Sequence, residues 1–100
     1  MAARVKIELS GGLEIIFGNA KEYTAQVPSG ASGKVTVLDV MLYARDHLLT
    51  ERPELFMKGN SVRPGILVLV NDVDWELTGE LQTEVADGDS VVFISTLHGG

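Results

Sequence analysis

Near the start of the chain, Val5, Ile7 and Leu9 alternate with Arg4, Lys6 and Glu8. A period of two marks a strand with one buried face. Ser10-Gly11-Gly12 supplies turn residues, and Leu13, Ile15 and Phe17 alternate beyond it, so the spacing predicts an antiparallel hairpin. Gly18-Asn19 breaks the pattern. Tyr23, Ala25 and Val27 resume it before Pro28-Ser29-Gly30, either extending the hairpin or forming a short strand of their own.

After the polar loop Ala31 to Lys34 the period changes. Thr36 followed by Asp39 has the spacing of a capping box, and Leu38, Met41, Leu42, Arg45, Leu48 and Leu49 then fall on one helical stripe. Arg45 is the exception in that stripe, and its stem is expected along the core edge. The helix should end before Pro53. Residues 51–64 read as irregular, punctuated by Pro53, Gly59, Asn60 and Pro64. Ile66 to Val70 is an apolar strand, Asn71-Asp72 a turn, Trp75 and Leu77 a short returning strand, Asp87-Gly88-Asp89 another turn, and Val91 to Ser95 the last strand.

One helix among five strands predicts an α+β fold with a single helix packed on one face of a mixed sheet. The first and last strands can lie side by side and parallel, because the helical crossover supplies the length that such a connection needs. A single helix covers one sheet face only, yet residues 66–70 and 91–94 are apolar at every position. Either Leu67 with Leu69 or Ile66, Val68 and Val70 should therefore join Phe93 or Val92 in a patch on the uncovered face. We expect a partner surface there, with Phe93, Leu67, Leu69, Asp72 and Asp74 as its candidates. The alternative is that residues 51–64, carrying Leu55 and Phe56, fold over it.

Charge narrows the kind of partner. Residues 1–63 carry all 8 Lys and Arg against 7 acids, whereas residues 64–100 carry 7 acids and no Lys or Arg. An acidic final third repels phosphate backbones and suits a basic protein groove, so direct nucleic-acid binding is not expected. At 100 residues the chain suits one domain, expected to act as a monomer. It has no cysteine, which fits a reducing compartment and leaves any sulfur chemistry to sulfur supplied from outside. The longest apolar run is too short to cross a bilayer, so no membrane association is expected and the cytoplasm or nucleus is the expected location. Asp72 and Asp74 read as turn residues rather than metal ligands.

The chain ends Leu97-His98-Gly99-Gly100. At ordinary glycine usage a Gly-Gly ending arises by chance in about 0.5% of chains, so it is informative. Two residues without Cβ atoms pass through a narrow channel and bring a terminal carboxylate close to a partner's nucleotide. A free carboxylate is a poor acyl donor until activated, typically by adenylation, and the sequence holds neither a GxxxxGK[ST] loop nor a GxGxxG fingerprint. Activation, and the ATP it consumes, therefore belong to another protein, and no cofactor is expected here. No acid, base and nucleophile constellation marks the chain as an enzyme. His98 is a neighbour of the reactive end, and His47 lies in the helix away from it.

The blocks Glu51 to Phe56, Ser61 to Leu69, Asn71 to Leu77 and Asp89 to Gly100 resemble the eukaryotic ubiquitin-related modifiers of the sulfur-carrier type. Residues 4–50 are similar mainly in pattern. The resemblance implies a β-grasp fold over residues 1–95 with a flexible tail at 96–100. It implies that an E1-like adenylyltransferase and sulfurtransferase converts Gly100 to an acyl-adenylate and then a thiocarboxylate, with Leu97, His98 and Gly99 entering that enzyme. It also implies a transfer-RNA thiolation enzyme complex as recipient of the sulfur, at the wobble uridine, and conjugation to lysines of target proteins. The second reading kept open is a ubiquitin-like interaction module acting non-covalently through the open sheet face.

Overall fold

In the computed structural model, residues 1–97 are described; His98, Gly99 and Gly100 lie outside the described residues. Strand β1 (Ala2–Ser10) buries Ala3, Val5, Ile7 and Leu9 and turns Arg4, Lys6 and Ser10 to solvent, as its alternation requires. Its antiparallel partner is β2 (Glu22–Pro28), with Ala2 opposite Pro28 and Glu8 opposite Glu22.

The segment predicted to form that partner, Leu13–Phe17, is instead a 3₁₀ turn. Gly11 and Gly12, both at positive φ, swing the chain out of the sheet. Leu13, Ile16 and Phe17 then point inward, a spacing of three and four that buries three apolar side chains where a strand would bury Leu13, Ile15 and Phe17. Ile15 is left 59% exposed. Gly18, also at positive φ, closes the turn by donating its N–H to the Glu14 carbonyl.

Helix α1 (Val37–Tyr43) begins where the capping box placed it. The Thr36 N–H donates to Asp39 Oδ2 at 2.9 Å, and the Asp39 N–H donates to Thr36 Oγ1 at 3.4 Å. A wider π turn, Ala44–Leu48, finishes it before Pro53. The buried stripe is Val37, Val40, Met41 and Ala44, one residue out of phase with the expected one. Both stripes are apolar and share Met41. The one with the smaller side chains faces the sheet, while Leu38, Leu42, Leu48 and Leu49 flank it half-buried. Arg45 is exposed and pairs with Asp46 at 2.8 Å.

Residues 51–64 are not irregular throughout. They hold a 3₁₀ turn, Pro53–Leu55, and a small hairpin of β3 (Met57–Lys58) with β4 (Ser61–Val62). They fold into the core instead of over the open face. Phe56 is fully buried there, edge-on to Phe17 at 5.1 Å and to Phe93 at 5.3 Å.

Strand β5 (Ile66–Val70) turns through Asn71 and Asp72, both at positive φ, into β6 (Val73–Asp74). The returning strand stops earlier than predicted. Asp74 accepts the Glu76 N–H at 2.9 Å and so caps a 3₁₀ turn, Trp75–Leu77, that buries Trp75 and leaves Leu77 81% exposed. Asp72 and Asp74 are thus turn and cap residues. Strand β7 (Ser90–Ser95) runs parallel to β1 and antiparallel to β5, giving the order β2-β1-β7-β5-β6 with the first and last long strands adjacent.

Candidate functional site: the tail exit and the open sheet face

The chain leaves the sheet at Ser95 through a close backbone crossing. A Cβ on Gly11 would lie 2.1 Å from the Ser95 carbonyl oxygen, so only glycine lets the β1 turn pass there. Beyond it, the Thr96 N–H and hydroxyl both donate to the Gly65 carbonyl, the former at 2.9 Å. The Leu97 N–H donates to Ser95 Oγ at 3.3 Å, and the Leu97 side chain lies over Gly65, where a Cβ would come within 2.7 Å of it. The domain therefore extends through Leu97: Thr96 and Leu97, assigned from sequence to a free tail, are tied down. The expected roles of Gly100, Gly99 and His98 concern residues outside the described ones.

Beside Leu97 lies a cleft of ≈ 300 Å³ whose walls include Ile15, Arg52, Leu55 and Arg63. Sequence reasoning missed it. The alternation assigned Ile15 to the core, and nothing in the pattern joined residues 11–16 to residues 51–63 across the tail. Arg52 is paired with Glu54 at 3.3 Å, whereas Arg63 makes no ion pair among the described residues. The Glu54 carboxyl is held below the usual carboxylate range by its own backbone amide first and then by Arg52.

The uncovered sheet face is resolved in favour of the odd residues of β5. Leu67 is opposite Ile94 and Leu69 opposite Val92, and all four are partly exposed. Phe93 corrects the expected surface. It points the other way, is fully buried, and anchors the aromatic core with Phe56. Of the expected acidic neighbours, Asp74 stands opposite Leu69 on the same face, and Asp72 sits at the hairpin tip.

The β1 and β2 half of this face is charged. Lys6 Nζ lies 3.3 Å from Glu22 and 3.6 Å from Glu8, and the hydrogen bond to Glu22, followed by the charges of Glu22 and Glu8, holds the ammonium above its usual pKa. These exposed pairs add little stability. They give the face an apolar half beside a polar one. His47, on the helix, is exposed and lies against Tyr43 with ring centroids 4.5 Å apart.

A mixed five-stranded sheet with one helix across it, ending at a tied-down exit, is the frame of a ubiquitin-like protein. The family model for Urm1, the ubiquitin related modifiers, matches residues 4–100. The chain belongs to that family. A ubiquitin-related modifier 1 homolog from Chlamydomonas reinhardtii is 56% identical over 97 residues, covering 97% of this chain and 98% of that protein. The mouse ubiquitin-related modifier 1 is 50% identical over 96 residues, covering 96% and 94%. The solution structure of Urm1 from Trypanosoma brucei superimposes with a TM-score of 0.79 at 35% identity, covering 99% of this chain and 97% of that one. The β-grasp fold follows, and so does the functional class. Urm1 proteins are ubiquitin-like modifiers of the sulfur-carrier type, small carriers rather than enzymes, and they work with activating enzymes and targets.

Proposed function

We infer that this Urm1 protein carries sulfur on the C-terminal carboxylate of Gly100. The observation that bears most weight is the family match running through residue 100 of a chain that closes on Gly99-Gly100. A carboxylate oxygen of Gly100 attacks the α-phosphate of ATP held by an E1-like enzyme, and pyrophosphate leaves. Persulfide sulfur of that enzyme then displaces AMP to give an acyl disulfide. A thiol cleaves its S–S bond, forming a disulfide with the enzyme's sulfur and leaving a thiocarboxylate on Gly100. The lack of cysteine in the chain supports an external source for that sulfur. The thiocarboxylate serves a transfer-RNA thiolation complex for 2-thiolation of the wobble uridine, and the same activated carbonyl acylates lysines of target proteins.

The acidic stretch after residue 63 supports a basic protein groove, rather than RNA, as the docking partner. Leu67, Leu69, Val92 and Ile94 supply an apolar patch for that contact. A cytoplasmic or nuclear monomer suits the role. Incubation with the activating enzyme, ATP and a sulfur donor tests it by intact mass. Deletion of Gly100 should abolish the change, and a deleted chain that still gains sulfur would overturn the assignment. The exposed apolar patch also favours a second reading, non-covalent binding through the open face, in which Leu67→Ser weakens partner capture while deletion of Gly100 leaves it intact.

A further inference from the structure

The fixed position of Leu97 limits where the partner of Gly100 can sit. Three residues separate Leu97 from Gly100 inclusive of the last, and fully extended they reach about 10 Å. Any channel that brings Gly100 to a nucleotide therefore has its mouth against the residues that surround Leu97. Those residues are the cleft walls described above. On one side Ile15 is 59% exposed, pushed out by the 3₁₀ turn, and on the other Leu55 is half-buried. Arg63 is the last cation of the chain, with only acids beyond it, and it makes no ion pair among the described residues. Ser95, in the cleft wall, follows Ile94 at the end of β7, so the cleft opens at the end of the strand whose other residues Val92 and Ile94 line the open face.

From this geometry we propose that the tail-exit rim formed by Ile15, Leu55 and Arg63 is a second docking element for the activating enzyme, seating an apolar side chain and a carboxylate from the lip of its tail channel. Arg63 and Arg52 place two cations at the rim, with Glu51 and Glu54 beside them, in a molecule of net charge −6: a basic groove takes the acidic flank, and a carboxylate of the lip takes Arg63. The inference rests on the reading that Gly100 is the group activated.

Pyrophosphate release by the activating enzyme of the same organism, measured over a range of carrier concentrations, tests it. Arg63→Glu and Ile15→Asp should each raise the KM for the carrier about tenfold or more with a much smaller change in kcat, while Arg63→Lys stays within about threefold of the parent chain. Added salt should shrink the Arg63→Glu defect and leave that of Ile15→Asp. Both sites are at least partly exposed, so both variants should keep the parent's thermal midpoint, and if one fails to fold the other still decides. KM values equal to the parent's in both variants would overturn the rim. No pyrophosphate from the parent chain itself would instead overturn the activation of Gly100, and the rim with it.

Discussion

Gly11 and Gly65 bracket the point where the chain leaves the fold, and they fail differently when given a side chain. A Cβ on Gly11 meets backbone, the Ser95 carbonyl, which cannot move without breaking the β7 end. The atoms nearest a Cβ on Gly65 belong to the Leu97 side chain, which can swing aside, so the positive φ of Gly65 is the strain that remains. Gly11→Ala should therefore cost at least about 2 kcal/mol, from positive φ plus the clash. Gly65→Ala should cost about 1 kcal/mol and release Leu97. Urea midpoints measure both, and the Leu97 methyl shifts report the release. In the core, Phe56→Ala removes the ring that joins Phe17 to Phe93 and should cost about 3–5 kcal/mol. Gly11 and Gly65 were not legible from sequence, because their role is a crossing between segments far apart in the chain. Phe93 was misassigned for a related reason: in an all-apolar strand, the face of each residue is set by register with its neighbours.

At the scale of elements, what was legible depended on whether the signal was local. The capping box was read correctly because Thr36 and Asp39 are three residues apart and need nothing else. Thr36→Ala should cost about 1 kcal/mol, measurable by thermal unfolding. The 13–17 segment was misread because Leu13-Glu14-Ile15-Ile16-Phe17 satisfies period two and helical spacing equally, and two left-handed glycines ahead of it decide for the turn. The helix stripe was ambiguous in the same way, with two apolar sets one residue apart. The short hairpin at residues 57–62 is too brief to show any period. The parallel pairing of β1 and β7 was legible, since only the long helical crossover allows it.

At the scale of the whole molecule, the helix face holds the buried core, and recognition is what we propose for the opposite face with the tail exit. Leu67→Ser removes apolar surface that is already 37% exposed, so it should change unfolding free energy by less than about 1 kcal/mol while weakening binding to the activating enzyme. The carrier role itself comes down to the fate of Gly100. Intact mass spectrometry after incubation with ATP, a sulfur donor and the activating enzyme is the most direct test. The account predicts a mass gain equal to sulfur minus oxygen, confined to the C-terminal peptide and absent when Gly100 is deleted. An unchanged mass in the full chain, with the enzyme active on another carrier, would contradict it.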